Sequence, residues 1–144
     1  MARQPGQRAR GPSGSEHGME RVFSGIQPTG ELHIGNYLGA VRNWVGVQGD
    51  HDCIFCVVDY HAINIPYDVP AMQGRILELS AGLLACGIDP AKASLFIQSE
   101  VPQHTELAWI FTCLTPMGEL ARQTQFKSKS EQHADSLNAG LFTY

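Results

Sequence analysis

The run Gly25-Ile-Gln27-Pro28-Thr29-Gly30-Glu-Leu-His33-Ile34-Gly35-Asn36 places an imidazole and a carboxamide three positions apart, with glycines on both sides. One helical turn separates His33 from Asn36, so both side chains can donate hydrogen bonds to one group. Gly25, Gly30 and Gly35 let the backbone turn sharply and approach a ligand closely. A helix starting near Gly35 and Asn36 would offer unpaired N–H groups and a positive dipole end to an anion such as phosphate. The run is not a P-loop, because the Gly-Lys-Ser/Thr ending is absent, and it is not the Gly-x-Gly-x-x-Gly of dinucleotide binders. On spacing alone, a phosphate-binding loop and an ordinary glycine-rich turn both stand.

Other reactive residues have plainer readings. Cys53 and Cys56 have the spacing of a metal pair but sit in Cys53-Ile-Phe-Cys56-Val-Val, which reads as a buried strand. Positions three apart on a strand face opposite ways, so the two thiols cannot share an ion. Buried free thiols in a reducing compartment are the reading, with no metal site. His61 closes a buried apolar strand, where a polar residue needs a reason. Asp59 reads as a turn or helix cap, and Glu100 and His104 receive no role. Lys127 and Lys129, alternating with Ser near Arg122, read as a solvated helix end that lysines favour through the dipole. His133 and Asp135 receive no role either. Trp44, Trp109 and Phe111 read as core or interface residues.

The elements that must hold these residues alternate. Arg21 to Ile26 is a short apolar strand. Tyr37, Leu38, Val41, Trp44 and Val45 recur at helical spacing. Cys53 to Val58 is a second strand, ending in Asp59. Asp68 is a helix N-cap with Pro70 in the first turn, Ile76, Leu79, Leu83 and Leu84 mark one face, and Gly87 is the stop. Ala93 to Ile97 is a third strand after the Asp89-Pro90 turn, and helices over about Gln103 to Cys113 and Gly118 to Lys127 follow. Strands alternating with helices imply right-handed crossovers and a parallel sheet. The fold class is α/β, a Rossmann-like parallel sheet with flanking helices. Ligands in such sheets sit beyond the carboxyl ends of the strands. That rule selects the loop after Ile26, the segment Asp59-Tyr60-His61, and the segment Gln98-Ser99-Glu100.

The whole chain of 144 residues is 43% apolar and 17% charged, the composition of a globular domain. Its net charge of −4 argues against a module that grips nucleic acid through a broad basic face. No apolar run approaches the ~18 residues of a membrane helix. Residues 1–18 differ: Arg3, Arg8 and Arg10 lie among Gly, Pro, Gln and Ser, a composition that predicts a disordered tail. Residues 19–144 form the folded part. The tail lacks a secretory apolar stretch, and no amphipathic presequence helix can be drawn through it. A cytoplasmic location is expected, with the mitochondrial matrix second.

His33-Ile-Gly-Asn36 resembles the HIGH signature of class I aminoacyl-tRNA synthetases, with Asn in place of the second His. Phe23-Ser-Gly-Ile-Gln-Pro-Thr-Gly30 together with His33-Ile-Gly-Asn-Tyr-Leu-Gly-Ala40 is similar to bacterial and mitochondrial tryptophanyl-tRNA synthetases. The likeness continues through Val57-Val-Asp-Tyr-His-Ala-Ile63, Gly87-Ile-Asp-Pro90, Leu95-Phe-Ile-Gln-Ser-Glu-Val-Pro102, Gly118-Glu-Leu120, Thr124-Gln-Phe-Lys127 and Ala139-Gly-Leu-Phe-Thr-Tyr144. The resemblance implies ATP- and Mg²⁺-dependent activation of L-tryptophan to the adenylate, transfer to tRNA(Trp), and a homodimer. It implies Gln27, Pro28, Thr29, Gly35 and Asn36 at the ATP, with His33 facing the phosphates and Lys129 on the pyrophosphate. Phe23, Gly25 and Val58 would wall the tryptophan pocket, His61 would lie beside the indole, and Tyr144 at its edge.

The pattern departs from the family in extent. The acidic residue that reads the indole N–H, the KMSKS loop and the anticodon-binding domain have no counterpart in these residues. The expectation is an amino-terminal part of a class I catalytic domain, inactive alone. The competing readings are a non-catalytic nucleotide- or tryptophan-binding module and a dimerisation half-domain.

Overall fold

A computed structural model describes residues 18–124 and 137–143. Three parallel strands, β1 (Arg21–Ile26), β2 (Asp52–Val57) and β3 (Ala93–Ile97), pair in the order β1-β2-β3. The register aligns Ser24 with Phe55 and Phe55 with Leu95. Helix α1 (Ile34–Asn36) runs through a π-helical stretch, Tyr37–Val41, into α2 (Arg42–Val47). α3 (Asp59–Ala62) follows β2, α4 (Val69–Ala85) links it to β3, and a 3₁₀ turn (Gln98–Glu100) precedes α5 (Gln103–Leu114). α6 (Met117–Leu120) and α7 (Ala139–Phe142) complete the described elements. None of the described helices is long and apolar enough to cross a membrane.

The side-chain period of two divides β2. Cys53, Phe55 and Val57 face a core shared with Val41, Trp44, Leu79, Leu83, Ile88 and Ala93. Trp44 stacks on Phe55 with ring centroids 4.7 Å apart and planes 10° from parallel, a contact that adds to the area both rings bury. Cys56 points to the other face and is also buried. Burial first, and Asp59 second, push its thiol up to about 11; Cys53 is raised by burial and then by Asp52. Both thiols are free; Cys86 is half-buried and Cys113 exposed.

The turn chemistry follows the sequence closely at α4. Asp68 accepts the Ala71 N–H at 3.4 Å, and Gly87 follows the helix with φ +111°, where a side chain would be strained. The buried Gln48 side chain donates to the Gly87 carbonyl at 2.7 Å and accepts from Asp89 N–H at 2.9 Å. It thereby welds the end of α2 to the turn before β3.

One reading needs correction. The helix expected over Gly118 to Lys127 is interrupted: α6 ends at Leu120, Ala121 and Arg122 turn, and Thr124 is helical again; Lys127 lies outside the described residues. Pro116 starts α6 with an extended backbone, and a single turn has too few internal hydrogen bonds to continue on propensity alone. Of the three residues read as core or interface, Trp44 is core, while Trp109 and Phe111 are 70% and 57% exposed on α5. Among the described glycines only Gly87 has positive φ, so the chain passes Gly25, Gly30 and Gly35 without left-handed backbone.

Candidate functional site

All three segments selected by the sheet rule lie at the carboxyl ends of the strands. After β1 the chain passes Gln27 to Leu32 and closes on itself at His33. The His33 Nδ1 accepts the Gly35 N–H at 3.1 Å, while the Asn36 Oδ1 accepts the His33 N–H at 3.1 Å. This is a capping box with imidazole and amide in the usual hydroxyl and carboxylate places. Its chemical consequence is definite. A neutral ring that accepts at Nδ1 carries its hydrogen on Nε2. The Asn36 carbonyl is likewise engaged, which leaves its NH₂ as the group to offer. The pair therefore presents donors, the polarity an oxyanion requires.

The expected unpaired N–H at Gly35 is thus already used by His33. Gly35 serves a different purpose. A Cβ there would stand 2.9 Å from the His33 Cε1 and 3.0 Å from Nδ1, so only glycine lets the ring fold back over the turn. A small hollow of about 230 Å³ opens here, lined by Gln27, Thr29, Glu31, His33 and Asn36 among others. Pro28 is fully buried beside it, and neither Pro28 nor Gly35 lines it.

On the sheet face away from the core cluster, Phe23 and Gly25 align with Ile54 and Cys56. A Cβ on Gly25 would stand 2.8 Å from Val58 Cγ1 and 3.2 Å from the Cys56 carbonyl oxygen. The structure brings Gly25 and Val58 into contact and leaves Phe23 63% exposed two positions back. His61 lies in α3 and lines a second hollow of about 510 Å³ with Tyr60, Asn64, Gln98, His104 and Thr143. Lys129 and Tyr144 lie outside the described residues.

Sequence reasoning missed the bonds that assemble this second region. Asp59 is buried, and its Oδ1 accepts N–H groups from Tyr60 and from Ser99, both at 3.1 Å. Asn138 caps α7 by accepting the Leu141 N–H at 2.9 Å, and donates to the Asn64 carbonyl at 3.1 Å. An Asn just before Ala139-Gly-Leu141 was a readable cap signal; its distant partner was not. A larger hollow, about 550 Å³, lies at the amino ends of β2 and β3 beside Asp52, Pro90 and Lys92. That is the wrong end of a parallel sheet for ligand chemistry.

The family model described as tRNA synthetases class I (W and Y) matches residues 15–144. The chain belongs to this family. A tryptophan–tRNA ligase of Wolinella succinogenes is 57% identical over 125 residues, which are 87% of this chain and 38% of that protein. A tryptophan–tRNA ligase of Caldanaerobacter subterraneus subsp. tengcongensis is 54% identical over 126 residues, 88% of this chain and 38% of its own length. The chain therefore spans under two-fifths of these class I relatives. A crystal structure of tryptophanyl-tRNA synthetase from Campylobacter jejuni, complexed with ADP and tryptophan, superposes with a TM-score of 0.78 at 40% identity. It covers 86% of this chain and 39% of that one. The parallel α/β architecture is thus that of a class I synthetase domain, present in part.

Proposed function

We propose that these residues form the amino-terminal part of an enzyme that activates L-tryptophan with ATP and transfers it to tRNA(Trp). The observation that carries this reading is the His33–Gly35–Asn36 cap beyond the carboxyl end of β1, a reciprocally bonded turn that leaves His33 Nε2–H and the Asn36 NH₂ as its free-to-donate groups beside the small hollow. In the reaction the tryptophan carboxylate oxygen forms a bond to the α-phosphorus, the bond to the pyrophosphate oxygen breaks, and pyrophosphate leaves. The chain's own contribution is positioning and charge stabilisation. His33 Nε2–H and the Asn36 amide would donate to phosphate oxygens, with Gln27 and Thr29 lining the nucleotide and Pro28 and Gly35 shaping the turn. Lys129 would meet the pyrophosphate.

Mg²⁺ fits as an ion carried by the nucleotide. Among the described residues no group of three His, Cys, Asp or Glu side chains converges to hold a metal, and Mg²⁺ ordinarily rides on substrate phosphates with one or two carboxylates. Glu31, which lines the small hollow, is the carboxylate within that space. For the amino acid, Gly25 and Val58 would form the wall, with Phe23 and Tyr144 at the rim and His61 beside the indole. The solved relative complexed with ADP and tryptophan supports binding of both a nucleotide and tryptophan.

The exposed face Leu107, Ile110, Phe111 and Leu114 on α5 supports assembly of two chains through this helix. A cytoplasmic location accompanies the reading. The test is tryptophan-dependent ATP–pyrophosphate exchange in a chain extended to the length of its relatives. Exchange that needs tryptophan is expected, and exchange that responds equally to tyrosine would overturn the substrate assignment. A non-catalytic binding module would bind ATP or tryptophan in the extended chain with no exchange at all.

A further inference from the structure

β2 and β3 stop pairing at Val57 and Ile97, and beyond that point their chains diverge into α3 and the 3₁₀ turn. One carboxylate oxygen takes over from the ladder. Asp59 Oδ1 accepts the Tyr60 N–H from its own helix and the Ser99 N–H from forty positions away. An acid in the first turn of a helix is favourable by itself through the dipole, but that explains only the first of these bonds. The second ties the segment carrying His61 to the segment carrying Gln98, and both residues line the same hollow of about 510 Å³. Gln98 Oε1 is buried there and accepts no hydrogen bond from a described residue. Asp59 itself is 7% exposed and is not among the residues lining the hollow.

We infer that Asp59 is a positioning residue for the amino-acid pocket, fixing the separation of the His61 and Gln98 segments so that recognition depends on it without direct contact. The inference rests on the proposed function for its substrate, and on geometry alone for the clamp. α5 and the end of α7 also line the hollow, through His104 and Thr143 among others, but between α3 and the 3₁₀ turn the Asp59–Ser99 bond continues where the β2–β3 ladder stops, and it sets the separation of those two rims. Loss of the tie lets the two rims move apart, which weakens binding of whatever spans them and leaves the loop after β1 untouched.

The experiment has two arms. In a chain extended to the length of its relatives, Asp59→Ala raises the tryptophan KM in pyrophosphate exchange about tenfold or more and leaves the ATP KM within about threefold. Asp59→Asn, whose Oδ1 still accepts both N–H groups, remains within about threefold of wild type for both substrates. Asp59→Glu keeps the charge but moves the acceptor by one methylene, and raises the tryptophan KM severalfold; it serves where the alanine variant fails to fold. An unchanged tryptophan KM in the alanine or glutamate variant overturns the positioning role, as does an asparagine variant as impaired as alanine. Amide exchange on the 144 residues forms the second arm, which is independent of activity. Tyr60 and Ser99 should lose protection together, by about tenfold or more, in the alanine variant and keep it in the asparagine one. Unaltered Ser99 protection overturns the clamp, whereas a wild-type extended chain without exchange activity counts against the function and not against the clamp.

Discussion

The loop after β1 and the region beyond β2 and β3 sit at the same end of one sheet but are held in opposite ways. In the first, the bonds that shape the site join residues two or three positions apart: Gly35 to His33, and His33 to Asn36. In the second, they join residues 40 and 74 positions apart: Ser99 to Asp59, and Asn138 to Asn64. The first region carries its geometry in a short string and should keep it whenever the helix forms. The second acquires its geometry only when distant parts of the chain meet. Local closure separates chemistry from stability; long-range closure joins them.

Substitutions can sharpen or break that contrast, and the largest effect should come from the first region. In a chain extended to the length of its relatives, Asn36→Ala should slow adenylate formation about a hundredfold or more, since it removes a donor to developing charge. The melting temperature should move little. Exchange activity within a few-fold of wild type would remove Asn36 from the chemistry, and a large fall in melting temperature would erase the contrast. On the 144 residues alone, tryptophan-dependent exchange should stay at background, because the chain spans only 38% of the length of each of these relatives. Clear exchange there would mean that the two regions suffice by themselves.

The second region should show its coupling in stability. Asn138→Ala removes a helix cap and the tie to Asn64, and should cost about 1–2 kcal/mol in denaturant unfolding. A cost under a few tenths would show that α7 is held by Leu141 burial alone. His61→Ala should raise the tryptophan KM with less effect on ATP, as expected for a pocket wall contributing uniform binding. An equal rise for both substrates would place His61 between the regions and blur the distinction. The smallest effect is alkaline. The folded Cys56 thiol, at about 11, lies above its ordinary value of 9.0, so from pH 9 to 11 the unfolded chain binds fewer protons than the folded one. Stability should fall as pH rises through that window, and Cys56→Ala should flatten the fall. A slope identical in both proteins would locate the alkaline loss elsewhere.

The same contrast decides what the sequence could reveal. Strand positions were legible because Val22, Ile26, Phe55 and Val57 alternate or cluster as buried strands do, and β3 matches its reading at both ends. α4 was legible from Asp68, Pro70 and Gly87, which act within a few residues of themselves. His33 and Asn36 were found for their donors, but the direction of their own bonds was not, since a capping box with an imidazole has no habitual signature. Asp59 looked like a cap and is one in part; its bond to Ser99 depends on how β2 and β3 diverge, which no local pattern encodes. The glycines at 25 and 35 were read as allowing a sharp turn and close approach to a ligand; what they leave room for is the protein itself, Val58 in one case and the His33 ring in the other.

Strand order in this sheet is the order of the chain, β1 then β2 then β3, each paired in parallel with the one before. During synthesis each of the two described pairings therefore forms with a strand that has already been made. At about 5–20 residues per second, β2 and β3 leave the ribosome seconds after their predecessors, whereas helices form in about a microsecond or less. α4 can be in place before β3 emerges to close over Leu79 and Leu83. The sheet can grow in one direction as it is translated, and among the described residues it ends with two open edges, the outer sides of β1 and of β3.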